Sequence, residues 1–180
     1  PVLGTDPGGP GDHTVGDPRR DHRSDRGAIP EPGIGAASPN DLEDILAVEV
    51  AAYADPWPRK AFQDEFAEPC AHVLVGRDGA GRVRGHLVYR HVIDEVQLLN
   101  VAVHPGIQRD GWGRALMQHL IQTAEDLEAR VILIEVRRSN EPAIGLYRTL
   151  GFQDAGVRRG YYRVGREDAL LLSRQVSPDQ

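Results

Sequence analysis

The sequence VAVHPGIQRDGWGR, at residues 101–114, joins an apolar run to a helical pattern through a turn rich in glycine. The apolar run, residues 96–103, ends before Pro105-Gly106, and apolar side chains recur at helical spacing from residue 115 onward. A strand, a glycine turn and a helix start form an anion site in this order, because the unpaired N–H groups of the first helical turn and the positive end of the helix dipole face the turn. The segment therefore predicts a place where a phosphate group binds.

The turn follows the spacing Gln-x-x-Gly-x-Gly, at Gln108, Gly111 and Gly113. Without a Cβ, the two glycines let a phosphate approach the backbone, and Arg109 and Arg114 can add charge-assisted contacts. The spacing differs from the P-loop, which requires Gly-Lys-Ser/Thr, and from the dinucleotide fingerprint, which requires a third glycine. Taken alone, the motif fits an ordinary strand-to-helix turn as well as it fits a phosphate site.

Length and charge restrict the classes of protein to which the chain can belong. Its 180 residues are enough for one domain with a substantial core. The net charge of −6 argues against a nucleic-acid-binding protein, which usually presents a basic surface. No segment approaches the roughly 18 apolar residues that a membrane span requires. We therefore expect neither a nucleic-acid partner nor a membrane partner.

Cysteine and histidine usage gives no sign of a metal centre. Cys70 is the single cysteine, which excludes a disulfide within the chain and fits a reducing cytosol. The seven histidines show no metal-ligand spacing. The first residues contain no apolar run of the kind found in signal peptides. The expected location is the cytoplasm, and no metal is expected.

The domain boundaries are predicted from the point at which large apolar side chains begin. Residues 1–32 are rich in Gly, Pro, Asp, Arg and His, and they cannot bury enough apolar surface to offset the entropy of ordering. They predict a disordered N-terminal extension. Residues 33–176 form the predicted domain, and residues 177–180 form a C-terminal tail.

Hydrophobic periodicity and breaker residues give the order of elements within the domain. The expected elements are a short strand near Gly33, a helix starting at Ser38-Pro39, a helix at residues 59–67, strands at residues 72–75, 83–92 and 96–103, a helix, a strand at residues 131–136, a helix opened by Asn140, and a final antiparallel pair at residues 152–157 and 169–172. This order predicts an α+β domain built around a mixed sheet.

Two stretches of the domain resemble the GNAT N-acetyltransferases. The loop at residues 108–113 is similar to the acetyl-CoA loop of that family. The run EVRRSNEPAIGLYRTLGF, at residues 135–152, is more specific and resembles the RimI branch. That branch acetylates the N-terminal alanine of a small-subunit ribosomal protein. Further similar groups, including Asp55-Pro56-Trp57 and residues 158–162, extend the resemblance over residues 34–174.

The resemblance implies the GNAT fold, a mixed and mostly antiparallel sheet that is splayed at its central strands and has helices on both faces. Acetyl-CoA would lie in the resulting slot, and an amide near Val101 or Ala102 would polarise its thioester. The residues implied in cofactor binding are Val101, Ala102, Val103, Gln108, Arg109, Asp110, Gly111, Trp112, Gly113, Arg114 and Asn140. Asp110 and Trp112 depart from the family pattern, which usually has a basic or neutral residue and an aliphatic residue there.

Glu135 and Tyr147 are the residues that the resemblance assigns to catalysis. Glu135 is the one charged group within an apolar strand, and it would accept a proton from the amine directly or through water. Tyr147 would donate a proton to the departing thiolate. Read without the resemblance, Glu135 fits a strand-end residue that faces solvent or pairs with Arg137, and Tyr147 fits a core position.

Three aromatic residues, Trp57, Tyr161 and Tyr162, would line the entrance for the substrate peptide, although a Trp between prolines also fits a loop anchor. The implied reaction is direct attack of an N-terminal α-amine on acetyl-CoA in a ternary complex. Protein lysines and small amines are alternative acceptors. A non-catalytic acyl-CoA-binding sensor is an alternative of another class, and the presence of both Glu135 and Tyr147 speaks against it.

Overall fold

Seven strands form one sheet in the computed structural model, which describes residues 33–162 and 165–176. The strands are β1 (Gly33–Ala36), β2 (Ala71–Arg77), β3 (Val83–Val92), β4 (Glu95–Val103), β5 (Val131–Arg137), β6 (Gln153–Tyr162) and β7 (Glu167–Gln175). Their order across the sheet is β1-β2-β3-β4-β5-β7-β6, and only the β4–β5 pair is parallel. The α+β class and the mostly antiparallel mixed sheet are therefore confirmed.

Four α-helices connect these strands, namely α1 (Leu42–Ala52), α2 (Arg59–Ala67), α3 (Trp112–Asp126) and α4 (Glu141–Thr149). A 3-10 turn, Pro39–Asp41, leads into α1, and the Ser38 N–H donates to Asp41 Oδ2 at 2.8 Å. Helix α1 ends before Pro56 and Pro58, because proline cannot supply the backbone N–H that a helix requires. The bounds of α2 are those predicted from the sequence.

Helices cover both faces of the sheet, and each face has its own apolar core. Alternate residues of β2 separate the two cores, since Val73 and Val75 pack with α1 and α2 while Leu74 packs on the opposite side. Phe62 of α2 is fully buried in the core that includes Val73 and Val75, and Leu116 of α3 is fully buried in the core that includes Leu74. Helices therefore pack against the central strands of the sheet on both of its faces.

The central strands separate after a short common stretch. The parallel ladder runs from Glu95↔Val131 to Leu98↔Ile134 and stops there, although β4 continues to Val103 and β5 to Arg137. A register shift in the β3–β4 pairing leaves Leu99 without a partner on β3. Leu99 therefore forms a β-bulge next to the point at which β4 and β5 separate. The expected splay is present, and it opens a cleft between the two strands.

The final antiparallel pair is longer than the sequence indicated. Strands β6 and β7 extend beyond residues 152–157 and 169–172, because most of β6 is exposed and therefore lacks the apolar alternation that marks a strand. The predicted extension at residues 1–32 and the tail at residues 177–180 lie outside the described residues. Within residues 33–162 and 165–176, none of the helices is long and apolar enough to cross a membrane.

Candidate active site

Two adjoining cavities occupy the cleft between β4 and β5. The larger has a volume of about 800 Å³ and extends from β4 to the loop before α3 and to α4. The smaller has a volume of about 230 Å³ and lies between β4, β5 and the loop that joins α1 to α2. Both are lined by Tyr53, Val101, Asn140 and Tyr147. These four residues mark where a molecule in one cavity would meet a molecule in the other.

The predicted phosphate loop forms one end of the larger cavity. Helix α3 begins at Trp112, and Gly111 at its N-cap has a φ of 86°, in the left-handed region that glycine adopts without strain. Arg109 also has a positive φ, of 73°. The N–H groups of the first turn have no partner within the helix, so they are available to an anion.

Side-chain contacts hold this loop against its neighbours. Gln108 donates from Nε2 to the Val103 carbonyl at 3.2 Å, which ties the loop to the end of β4. Arg114 donates from Nη2 to Thr149 Oγ1 at 2.9 Å, on the last turn of α4. Both residues line the larger cavity together with Arg109. The cavity end therefore combines free amides with two guanidinium groups.

Asp110 and Trp112 lie differently from the other predicted loop residues, and neither is among the described residues that line the two cavities. Trp112 is buried, and its ring would be 3.2 Å from a Cβ placed on Gly76 of β2. The indole thus packs below the loop, which leaves only the backbone N–H of Trp112 for a ligand. Asp110 is exposed to solvent.

The edge of β4 that faces the cleft presents backbone groups of Val101. The Tyr53 hydroxyl donates to the Val101 carbonyl, which shows that this carbonyl points away from β3. In a strand the N–H and C=O of one residue point to the same side, so the Val101 N–H also faces the cleft. The groups of the next residue, Ala102, point towards its partner His86 on β3. Of the two amides expected at the thioester, the geometry favours that of Val101.

Glu135 lies on β5 immediately beyond the last residue paired with β4, and it lines the smaller cavity. Its Oε1 is 2.9 Å from Arg158 Nη1 on β6, and its side chain is 30% exposed. A hydrogen bond to Glu135 is the main reason why the pKa of Tyr161 is raised. The ion pair is thus with Arg158, whereas Arg137 contacts Asp55 and Glu167, each at 3.6 Å.

Tyr147 lines both cavities from α4 and is 4% exposed. Its ring packs at 6.0 Å from that of Phe152, as expected for a core tyrosine. Burial raises the pKa of Tyr147, and the nearby Tyr53 and Tyr162 raise it further. The hydroxyl therefore remains protonated at neutral pH and can act as a donor. The packed position and the position at the cavity occur together.

The remaining predicted residues lie around the smaller cavity or at the start of α4. Asn140 caps α4, with its Oδ1 accepting from the Ala143 N–H at 3.3 Å, and also lines both cavities. Trp57 and Tyr162 line the smaller cavity. Tyr161 instead is 47% exposed and contacts Glu135 at the rim. The cleft therefore brings together most of the residues predicted for the site, whereas Asp110, Trp112 and Tyr161 line neither cavity.

Comparison with known proteins identifies the family. Residues 42–152 match the Acetyltransferase (GNAT) family. The chain is 37% identical to the ribosomal protein bS18-alanine N-acetyltransferase of Escherichia coli strain K12 over 146 residues, which are 80% of this chain and 97% of the relative. This chain is a GNAT acetyltransferase. The resemblance to the RimI branch noted in the sequence is confirmed.

Further comparisons agree with this membership. The GNAT chain is 35% identical to N-alpha-acetyltransferase RimI of Mycobacterium tuberculosis over 147 residues, with coverage of 78% of this chain and 90% of the relative. The crystal structure of the ribosomal-protein-S18-alanine N-acetyltransferase from Escherichia coli superposes with a TM-score of 0.77 at 35% identity, covering 83% and 96% of the two chains. Ard1 from Thermoplasma volcanium shares the fold, with a TM-score of 0.75 at 24% identity.

Four residues of this GNAT site were not identified from the sequence: Glu49, Tyr53, Asn100 and Arg158. Each acts through a partner that is distant in the chain. Glu49 had a detectable signal, because a carboxylate at a helical position among buried apolar residues requires a partner. Within the described residues, no group of three or more His, Cys, Asp or Glu side chains is placed to hold a metal ion.

Proposed function

We propose that the protein transfers the acetyl group of acetyl-CoA to the N-terminal α-amine of a protein, with alanine preferred as the first residue. The proposed physiological substrate is a small-subunit ribosomal protein, which the enzyme would meet in the cytoplasm. One observation carries the proposal: Tyr147 and the cleft-facing edge of Val101 lie where the two cavities adjoin, and Glu135 lines the smaller cavity beside them. The names of the relatives from Escherichia coli and Mycobacterium tuberculosis support the same activity.

The larger cavity has the chemistry that a CoA diphosphate requires. The first-turn amides of α3 supply hydrogen bonds, and Arg109 and Arg114 supply positive charge. Gly113 lines the cavity, and a Cβ added to it would make only ordinary contacts, with Leu146 at 3.5 Å. The residues present therefore fit the group, and Asn140 would add a contact on the α4 side.

Acetyl-CoA supplies the acetyl group in activated form, as a thioester. The Val101 N–H would stabilise the oxyanion that develops on the acetyl oxygen, and removing one such donor typically costs about 2.7–4 kcal/mol of barrier. Glu135 would accept the proton that the amine loses as its nitrogen bonds to the acetyl carbon and the carbon–sulfur bond breaks. Tyr147 would donate its hydroxyl proton to the departing sulfur, so that one amide and one thiol result.

The α-amine is the acceptor that a carboxylate base can serve most easily. An α-amino group titrates near pH 7.7–8 and a lysine near 10.4, a gap of about 2.5 units or roughly 3.4 kcal/mol. A lysine substrate would therefore require that additional free energy for deprotonation. This difference favours N-terminal acetylation over acetylation of lysine side chains.

A peptide panel tests the acceptor. We expect thiol release to be faster with peptides that begin with Ala than with peptides that begin with Ser or Met, and slowest with a lysine-containing peptide whose terminus is blocked. Equal or faster turnover of the lysine peptide would refute the stated specificity. Binding of acetyl-CoA without turnover of any amine would instead indicate a sensor.

Two variants test the catalytic roles. Glu135→Gln and Tyr147→Phe should each lower kcat by about 10²-fold or more, the usual contribution of an acid or base. Asp44→Asn, an exposed change on α1, and Tyr89→Phe, a buried tyrosine outside both cavities, are the matched controls. If both active-site variants retained the turnover of the controls, the assigned roles would be wrong.

A further inference from the structure

Glu49 is a buried carboxylate that the proposed chemistry does not use. It lies on α1, it is 1% exposed, and it lines the smaller cavity. Burial of a carboxylate carries a large free-energy cost unless the charge is hydrogen-bonded or paired. The contacts of its two oxygens therefore indicate its purpose.

One oxygen of Glu49 connects two walls of the cavity. Oε1 accepts from the backbone N–H of Trp57 at 2.8 Å and from Asn100 Nδ2 at 3.1 Å. Trp57 belongs to the loop between α1 and α2, on the side proposed for the peptide, whereas Asn100 belongs to β4. A single carboxylate oxygen thus fixes the peptide side of the cavity relative to the central strand.

The second oxygen of Glu49 lies beside His86 of β3. Oε2 is 3.1 Å from Nε2 of His86, but the contact does not have hydrogen-bond geometry, and within the described residues Oε2 has no hydrogen-bond partner. His86 is fully buried, and its ring makes an edge contact with Phe62 on α2 at 5.4 Å between centroids. Glu49 is therefore fixed through the two hydrogen bonds of Oε1, and Oε2 has His86 as a close polar neighbour.

Asn100 transmits this constraint to the reacting edge of β4. It directly follows the bulged residue Leu99 and directly precedes Val101, whose N–H faces the cleft. A bulge bends a strand and changes the direction of its groups, so the orientation of the Val101 amide depends on how this segment is held. The Glu49–Asn100 hydrogen bond connects this segment to α1 and restrains it.

We propose that Glu49 is a positioning residue for acetyl transfer, which aligns the Trp57 loop with the bulged segment of β4. The inference rests on the proposed function, because it assumes that the peptide enters beside Trp57 and that the Val101 amide serves the thioester. Glu49 itself neither donates nor accepts a proton in the reaction. Its shape and hydrogen bonds are required, and its charge is not.

Three variants separate these requirements. Glu49→Gln retains an oxygen that accepts from Trp57 and Asn100, and its new amide can donate to His86 in the other tautomer. Glu49→Ala removes all three contacts. Asn100→Ala removes only the link to β4. Asp44→Asn, an exposed carboxylate-to-amide change on the same helix, is the control.

The assay uses whichever peptide of the panel the wild-type protein acetylates fastest, so a different acceptor class does not affect it. Misplacement of a catalytic geometry by about 1 Å can cost on the order of 10²-fold. We expect Glu49→Ala to lower kcat by about 10- to 100-fold and to raise the peptide KM several-fold, with the dissociation constant of acetyl-CoA unchanged. Asn100→Ala should lower kcat while the peptide KM stays the same.

Glu49→Gln decides between positioning and proton transfer. We expect it to retain kcat within a few-fold of wild type and to give the same pH–rate profile. A Gln variant as impaired as the Ala variant, or one with a changed pH–rate profile, would overturn the proposal, as would full activity of Glu49→Ala.

If the Ala variant does not fold, the Asn100→Ala and Glu49→Gln results decide. A purely structural role of Glu49 would lower the kcat of Glu49→Ala through loss of active protein and leave its peptide KM unchanged, and that result would overturn the proposal. Failure of the α-amine proposal would show as a wild-type preference for the lysine peptide.

Discussion

Tyr147, which is buried, and Tyr53, whose hydroxyl donates to the Val101 carbonyl, contribute to the response of the protein to alkaline pH. Loss of hydration raises the pKa of each above its ordinary value near 10, so the folded protein retains protons that the unfolded chain has lost. Stability is unaffected below about pH 10 and decreases as the pH rises beyond it. We expect a steeper loss of unfolding free energy above pH 10 than between pH 7 and 9.

Urea unfolding across this pH range measures the effect. Tyr147→Phe should make the alkaline decline shallower, because phenylalanine has no proton to lose, and it should leave the slope between pH 7 and 9 unchanged. An equally steep decline in the variant would contradict the assignment to Tyr147.

At the residue level, the sequence identified the groups that belong to a local motif. Glu135, Asn140 and Tyr147 follow one another within a short run, so their spacing was visible. Glu49 and Asn100 are 51 positions apart, and no local pattern indicates that they share a hydrogen bond. Contacts of this kind are determined by how the helices pack on the sheet.

The two glycines at the start of α3 have different roles. Gly111 has a φ of 86°, where an L-residue costs roughly 1–2 kcal/mol, so Gly111→Ala should destabilise the protein by about that amount. Gly113 lies within the helix and has room for a methyl group, so Gly113→Ala should raise stability by up to about 1 kcal/mol. That methyl group would occupy the space proposed for the phosphate.

Thermal unfolding and CoA titration test this pair. Gly113→Ala should bind CoA about tenfold more weakly, a loss of about 1.4 kcal/mol, while it unfolds at a higher temperature than wild type. A variant that is more stable and binds CoA with unchanged affinity would show that the phosphate lies elsewhere.

At the level of elements, periodicity was sufficient where one face of an element is buried. The bounds of α2 were predicted as the structure has them, and the central position of β4 was predicted because that strand is apolar on both faces. The length of β6 was not predicted, because the exposed residues of that strand show no alternation. Trp112 was assigned to the phosphate loop by its place in the motif, and its indole instead fills the space beside Gly76.

Over the whole molecule, the short β4–β5 ladder divides the sheet into two parts joined by four residue pairs. A ligand between the free edges would connect the parts and stabilise the folded state. CoA at 100 times its dissociation constant should raise the unfolding free energy by about 2.7 kcal/mol. Hydrogen exchange should slow at the Val101 amide, and unchanged exchange there would contradict the proposed place of the pantetheine.

The division of the sheet between β4 and β5 creates two unpaired strand edges, which bear on how the protein avoids aggregation. Unpaired strand edges attract strands of other chains, and proteins protect their outer edges accordingly. Here β1 is only four residues long, and β6 carries register shifts and the charged residues Asp154, Arg158 and Arg159. The free edges of β4 and β5 lie inside the sheet, with Tyr53 beside them on one side and α4 on the other. An unpaired edge is thus available to a narrow ligand within the sheet, while the outer edges carry the features that discourage pairing with a second copy.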